Sequence, residues 1–143
     1  MAQHCARYMS RTGGGRIVNF SSVLAHMADG QHILYGASKI GVNNMVRNLA
    51  VDLWKDNIQA NSVLPCYVIT PLVSKHLEKP GWEEKQMSRI LSKRWIAPDD
   101  IANTCAFLLT CKTPFLNGQE IMTCSGYLDI MSKAPLKDPN TDV

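Results

Sequence analysis

The sequence predicts an α/β protein in which short parallel strands alternate with helices. Arg16–Phe20 is an apolar, β-branched run of the kind found in central strands of buried parallel sheets. Residues 58–64 form a second such run, which Pro65 ends. The interval between the two runs carries a helical pattern at about 34–55 and is long enough for a right-handed crossover. We therefore expect the two strands to be parallel.

The flanking elements follow from local patterns. Residues 1–11 predict a helix that ends at the T-G-G-G run at 12–15. Because these glycines follow a helix and precede a strand, they favour a turn over a phosphate-binding loop, which would open a helix. Further along, the patterns predict two short helices (71–78 and 83–92), a helix starting at Pro98, a short strand (120–123) and a disordered tail (128–143).

Two of the predicted helices have apolar stripes that should face a core. In the long helix the stripe consists of Val42, Met45, Val46, Leu49 and Leu53. In the helix starting at Pro98 it consists of Ile101, Cys105, Leu108 and Leu109.

Composition narrows the class of function. The net charge of +3 is mild and the chain has no dense basic block, so we expect no nucleic-acid partner. No apolar run approaches the roughly 18 residues of a membrane span, so we expect no membrane partner. Five cysteines without paired spacing indicate reduced thiols and a cytoplasmic protein. The four histidines lack metal-ligand spacing, and we expect no metal site.

The segment from Ser22 to Lys39 carries the chemistry. Tyr35 and Lys39 are four residues apart, so on a helix they share one face, where an ammonium favours the phenolate form of tyrosine. Ser22 follows the first strand, and Thr70 follows the second. Ligands of parallel α/β sheets collect beyond the carboxyl ends of the strands, so these side chains could share one crevice. A buried tyrosine, a solvated lysine and a loop serine would be the structural alternatives.

With this pattern the chain resembles the short-chain dehydrogenase/reductase family. The matching stretches are N-F-S-S at 19–22, Y-G-A-S-K at 35–39, N-S-V-L-P at 61–65 and V-I-T-P at 68–71. The stretches L-A-V-D-L-W-K-D-N-I and P-C-Y-V-I-T-P-L are also similar to the tropinone-reductase-like branch. The resemblance covers residues 1–127 and implies the C-terminal half of a Rossmann-like, doubly wound parallel sheet. It implies that the N-terminal nucleotide-binding half is absent and that residues 71–95 cover the substrate.

The resemblance also implies an activity, the interconversion of a small-molecule carbonyl and alcohol with NADP or NAD, NADP being favoured by the branch. Tyr35 would be the acid/base. Lys39 would stabilise its phenolate and bind the nicotinamide ribose together with Tyr35, and Ser22 would orient the substrate oxygen. The cofactor-binding segment would include Pro65, Val68 and Thr70.

Several departures from the family pattern leave alternatives open. The glycine-rich nucleotide turn is absent from this sequence, and Cys66 stands where the family usually has glycine. The chain could instead be a truncated, non-catalytic module that forms a homo-oligomer or pairs with a full-length relative. Altered chemistry in the same crevice without a dinucleotide is a third possibility.

Overall fold

The computed structural model describes residues 1–28 and 30–130, apart from the side chains of Leu72 and Ile130. Its elements alternate between helices and strands, as the sequence predicts. In chain order they are α1 (Ala2–Arg11), β1 (Gly15–Phe20), a 3₁₀ turn (Val23–Ala25), α2 (Ile33–Leu53), a second 3₁₀ turn (Trp54–Asp56), β2 (Ile58–Pro65), α3 (Pro71–Leu77), α4 (Trp82–Met87), α5 (Pro98–Thr110), β3 (Glu120–Thr123) and α6 (Tyr127–Ile130).

The described strands form one parallel sheet in the order β1-β2-β3. β2 is its central strand, and every β2 residue except Pro65 is buried. β1, predicted as a central strand, lies at the edge of the described sheet and is only partly buried. The parallel pairing of β1 with β2 confirms the predicted crossover through α2.

The chain divides into two compact units. The first unit comprises Met1–Pro65 and Asp99–Thr123, and it contains the whole sheet. In its core Val46 and Ala50 of α2 pack with Ala60 of β2, and Ile17 and Leu49 pack against this cluster. The second unit comprises Cys66–Pro98 and, among the described residues, 124–130, and it contains the segment 71–95.

Aromatic rings dominate the second unit. The Trp82 and Trp95 rings stack with centroids 5.6 Å apart, and His76 stacks on Trp82 at 5.3 Å. Tyr67 meets three rings edge-on, those of Trp82, Trp95 and Tyr127. Two short helices occur here as predicted, although the second, Trp82–Met87, ends five residues before the expected position.

The prediction of disorder from residue 128 is wrong for residues 128–130, which belong to helix α6. Tyr127 anchors this helix: it is 2% exposed, and its hydroxyl donates to Gln86 Oε1 at 2.8 Å. The composition of the predicted tail gives no sign of this anchor, because the contact joins residues 41 positions apart. The rest of the predicted tail, 131–143, lies outside the described residues.

Both predicted apolar stripes were partly wrong. Met45 is exposed, whereas Asn43, which no stripe included, is buried. The buried positions of α2 are Asn43, Val46 and Ala50, which recur at helical spacing along one face. In α5 only Ile101 and Leu108 are buried, and Leu109 is exposed. Leu109 lies about 100° around the helix from Leu108. The face of α5 that packs against the core is therefore narrower than the apolar stripe predicted from the sequence.

Candidate functional site

Tyr35 and Lys39 occupy adjacent turns near the start of α2. The Lys39 ammonium nitrogen lies 5.4 Å from the centre of the Tyr35 ring, and it donates to the Phe20 carbonyl at 3.1 Å. Phe20 is the last residue of β1, so this bond holds Lys39 at the carboxyl end of the strand. Tyr35 is 46% exposed, and its hydroxyl has no hydrogen-bond partner among residues 1–28 and 30–130. A solvent-accessible phenol next to a fixed cation is thus available to a ligand.

Ser22 lies on the loop that follows the same strand. Its side chain is buried at 8% exposure, and its Oγ accepts from the Leu24 amide at 3.2 Å, capping the 3₁₀ turn. Because the hydroxyl oxygen accepts this bond, its proton remains available to donate to a ligand oxygen. The role predicted for Ser22, donation of a hydrogen bond to a substrate oxygen, stays a prediction.

Two local contacts bring the Ser22 loop against α2. The Ser21 hydroxyl donates to the Lys39 carbonyl at 3.1 Å. Gly36, inside the Y-G-A-S-K stretch, has no Cβ, and a Cβ built there would lie 3.1 Å from the Leu24 carbonyl oxygen. A larger residue at position 36 would therefore push the loop away from the helix. The structure brings Ser22, Tyr35 and Lys39 to the same end of β1.

The predicted cofactor-binding residues fall in both units. Pro65 ends β2 in the first unit, two residues after Val63, the register partner of Phe20. Val68 and Thr70 belong to the second unit. Val68 forms a parallel bridge with Ile96, in which the Ile69 amide donates to the Ile96 carbonyl at 2.9 Å. In a parallel bridge of this kind, the residues before and after Val68 make the backbone hydrogen bonds to Ile96. The amide and carbonyl of Val68 itself therefore face away from Ile96.

Cys66, which departs from the family pattern, is partly buried and unpaired. Burial raises the pKa of its thiol from 9.0 to about 12, against the opposing effect of a backbone hydrogen bond at Tyr67. Nearby Cys124 adds a smaller increase to the pKa. Cys66 is therefore a neutral thiol at physiological pH, which argues against a nucleophilic role.

This state of Cys66 leads to a testable expectation. At pH 8 iodoacetamide should label the exposed Cys5 but leave Cys66 unmodified until the protein is denatured, as peptide mass spectrometry would show. The raised pKa contributes no pH dependence to stability below pH 9, where folded and unfolded chains both keep the proton. Between pH 9 and about 12 only the unfolded chain loses it, so Cys66 should make stability fall there. Labelling of folded Cys66 as fast as Cys5 would contradict the burial of its thiol.

The sequence did not predict one polar cluster of the first unit. The Glu120 carboxylate at the start of β3 binds side chains of His26, Asn43 and Arg47. Glu120 lies 94 residues from His26, and no local spacing links them. The structure shows Asn43 buried on α2, where its amide needs a partner, but the sequence gives no sign of this burial.

Among the described residues, no group of three or more histidine, cysteine, aspartate or glutamate side chains is placed to hold a metal ion. No helix in that part of the chain is long and apolar enough to span a membrane.

Comparison with known proteins places the chain in a family. A family profile described as Enoyl-(Acyl carrier protein) reductase matches residues 1–128. The chain belongs to the short-chain dehydrogenase/reductase family. This membership confirms the resemblance that the motifs at 19–22 and 35–39 predicted.

Curated relatives include dehydrogenases and reductases. A tropinone reductase homolog of Arabidopsis thaliana is 36% identical over 121 residues, which are 83% of this chain and 45% of the relative. A 7alpha-hydroxysteroid dehydrogenase of Bacteroides fragilis is 35% identical over 118 residues, or 82% of this chain and 45% of the relative. The chain thus spans about half the length of these relatives.

The chain also matches about half the length of related solved structures. A gluconate 5-dehydrogenase from Burkholderia cenocepacia in complex with NADP and tartrate matches with a TM-score of 0.84 and 28% identity, over 90% of this chain and 50% of that one. A 7 alpha-hydroxysteroid dehydrogenase complexed with NADH and 7-oxo glycochenodeoxycholic acid matches with a TM-score of 0.82 and 30% identity, over 87% and 49%. The fold is therefore a Rossmann-like α/β fold, of which this chain forms a partial domain.

Proposed function

We propose that this chain carries the acid/base half of an NAD(P)-dependent oxidoreductase site that interconverts a carbonyl and an alcohol. The observation that carries the proposal is the placement of the Tyr35 phenol beside the Lys39 ammonium at the end of β1, with Ser22 on the adjoining loop. Family membership supports the same reaction class. Five unpaired cysteines support a reducing compartment, the cytosol.

The three side chains have separate tasks in the proposed reaction. The Tyr35 hydroxyl gives a proton to the carbonyl oxygen during reduction and takes it back during alcohol oxidation. The Lys39 ammonium stabilises the phenolate that results from proton donation. With one of its donors on the Phe20 carbonyl, Lys39 has two more for ribose hydroxyls. The Ser22 hydroxyl donates a hydrogen bond to the same substrate oxygen and orients it.

The cofactor would supply the hydride that the protein's side chains lack. An amide donor and a carbonyl acceptor suit the carboxamide of a nicotinamide, and Val68 presents both on the side away from Ile96. We assign the carboxamide to Val68 of the second unit. For Thr70 and Pro65 the support is the resemblance to the family alone. The related structures contain NADP or NADH, and the tropinone-reductase-like resemblance favours NADP.

Binding of this cofactor by the 143-residue chain should be weak. The sequence contains no G-x-G-x-x-G, whose glycines and following helix N-terminus hold the pyrophosphate in dinucleotide sites. We expect a Kd weaker than about 1 μM for NADPH and NADH, to be measured by titration calorimetry and by Trp82 and Trp95 fluorescence in a Trp54→Phe background. Sub-micromolar binding would reveal a phosphate site that the motifs do not indicate. No saturable binding at millimolar nucleotide would contradict the proposed oxidoreductase.

A second candidate function is pairing with a second copy of the chain or with a full-length relative. The observation that favours it is the edge position of β1, which pairs with β2 alone in the described part of the chain. An edge strand offers backbone donors and acceptors to another chain. Phe20 at the end of β1 and Val51 and Trp54 near the end of α2 are large apolar residues that are exposed.

Light scattering distinguishes pairing from a solitary chain. At tens of micromolar we expect the mass of a dimer or a larger assembly, since exposed apolar side chains gain from burial between chains. Adding charge at the edge, as in Phe20→Lys, should weaken the assembly, whereas Phe107→Lys, at an exposed residue of α5, should not. A cooperatively folded monomer at these concentrations would refute the pairing function.

A further inference from the structure

Glu120, the first residue of β3, carries a largely buried carboxylate. Its side chain is only 12% exposed, and it accepts hydrogen bonds on both oxygens. Oε2 contacts the His26 imidazole and the Asn43 amide, the latter at 2.7 Å, while Oε1 contacts the Arg47 guanidinium. A charge held this far from solvent costs free energy relative to an apolar residue of similar size. The role of Glu120 is therefore to be found in the side chains that its carboxylate binds, and not in packing.

The first of these partners ends the turn that Ser22 begins. Ser22 is the N-terminal cap of the 3₁₀ turn Val23–Ala25, and His26 is its C-terminal cap. The His26 amide donates to the Val23 carbonyl at 2.9 Å, so the residue that carries the imidazole is bonded into the turn. At its start the same loop is bound to α2 through the Ser21 hydroxyl. The contact between His26 and Glu120 fixes the other end.

The second partner lies on the helix that carries Tyr35 and Lys39. Asn43 follows Lys39 by four residues, one turn further along α2, and it is buried. One carboxylate oxygen thus contacts both the Ser22 turn and the Tyr35 helix. The backbone of Glu120 is itself fixed, because it is the register partner of Ser62 on the buried central strand.

We propose that Glu120 is a positioning residue which, through His26, holds the Ser22 hydroxyl in place relative to the helix of Tyr35 and Lys39. The proposal rests on the proposed function of Ser22 and Tyr35, but the positioning itself is a property of the loop that is measurable without turnover. Arg47, which is more than half exposed and contacts only the other oxygen, joins α2 to β3 without touching the turn.

The structure offers a matched pair of variants for the test. His26→Ala removes the contact between the turn and the carboxylate, and Arg47→Ala removes a contact of the same carboxylate with α2. Amide hydrogen exchange by NMR then reports on the turn through the amides of Leu24 and Ala25, which bond to Ser22 Oγ and to the Ser22 carbonyl. The Ser62 amide, bonded to the Gln119 carbonyl, serves as the internal control for the sheet.

We expect His26→Ala to increase exchange at Leu24 and Ala25 by about tenfold or more relative to Ser62, and Glu120→Ala to do the same. Arg47→Ala should leave the ratio of the exchange rates at Leu24 and Ala25 to the exchange rate at Ser62 within about twofold of the wild-type value. An unchanged ratio in His26→Ala, or an equal increase in Arg47→Ala, would overturn the positioning role. Exchange, unlike global stability, separates a local release of the turn from general destabilisation.

Kinetics on the same variants separate this inference from the proposed function. Where the wild type reduces a carbonyl, His26→Ala should lower kcat by about tenfold with KM changed less than about twofold, because Ser22 orients the reacting oxygen. His26→Gln, which can still donate to the carboxylate, should recover part of the loss. If the exchange result holds but the wild type shows no turnover, the proposed function fails and the positioning of Ser22 stands. If turnover is present but His26→Ala affects only KM, the positioning role in catalysis is refuted.

Discussion

Replacing Tyr35 by phenylalanine should lower the rate of carbonyl reduction by at least about 100-fold, the usual contribution of a general acid. The substitution removes only the hydroxyl, which is exposed to solvent and has no hydrogen-bond partner among the described residues. The fold should therefore be unchanged, with the same circular dichroism and the same unfolding midpoint as the wild type. Steady-state kinetics at saturating nucleotide measure the effect.

The matched control is Tyr8→Phe on α1, which removes the same atom from another exposed tyrosine. It should leave the rate unchanged. Lys39→Ala should also lose rate, because the negative charge that proton donation leaves on Tyr35 loses its neighbouring cation. Full activity in Tyr35→Phe would contradict the assignment of the acid/base.

Among the substitutions considered, truncation of Tyr127 to alanine should lower the free energy of unfolding most. Its ring is buried against Tyr67, with centroids 5.7 Å apart, and its hydroxyl bonds to the buried Gln86 side chain. Removal of a buried aromatic side chain costs about 3–5 kcal/mol, so Tyr127→Ala should lower the free energy of unfolding of the second unit by that order. Tyr127→Phe should cost about 1–3 kcal/mol, because Gln86 Oε1 loses its donor in a buried site.

Urea unfolding followed by Trp82 and Trp95 fluorescence, in a Trp54→Phe background, measures this effect in the unit that contains both indoles. Tyr8→Ala is the control, because Tyr8 is 71% exposed and surface substitutions usually change stability by less than about 0.5 kcal/mol. If Tyr127→Ala unfolded at the same urea concentration as Tyr8→Ala, α6 would not be anchored as the structure describes it.

The sequence predicts the elements of the sheet well because their signals are local. The β-branched runs at 16–20 and 58–64 and the helical pattern between them need no information about the rest of the chain. The Tyr35–Lys39 pair is predictable for the same reason, since a spacing of four on a helix fixes their relative position. Membership of the family then follows from short motifs around these residues.

The features that the sequence misses depend on contacts between distant residues. The Glu120 cluster joins β3 to a loop and a helix that precede it by more than 70 residues. The burial of Tyr127 depends on Gln86, 41 residues earlier, and no local spacing links the two residues. The exposure of Met45 and Leu109 depends on how far the core extends around each helix, which hydrophobicity alone does not determine.

The most direct test of the proposed oxidoreductase is transfer of deuterium from a nicotinamide to a carbonyl. The chain is incubated at millimolar nucleotide, deuterated at the reactive carbon, with a panel of small ketones, and the alcohols are analysed by mass spectrometry. We expect deuterium on the carbinol carbon with the wild type and at least about 100-fold less with Tyr35→Phe. Absence of deuterium in a wild-type chain saturated with nucleotide, or equal transfer by Tyr35→Phe, would contradict the proposed function.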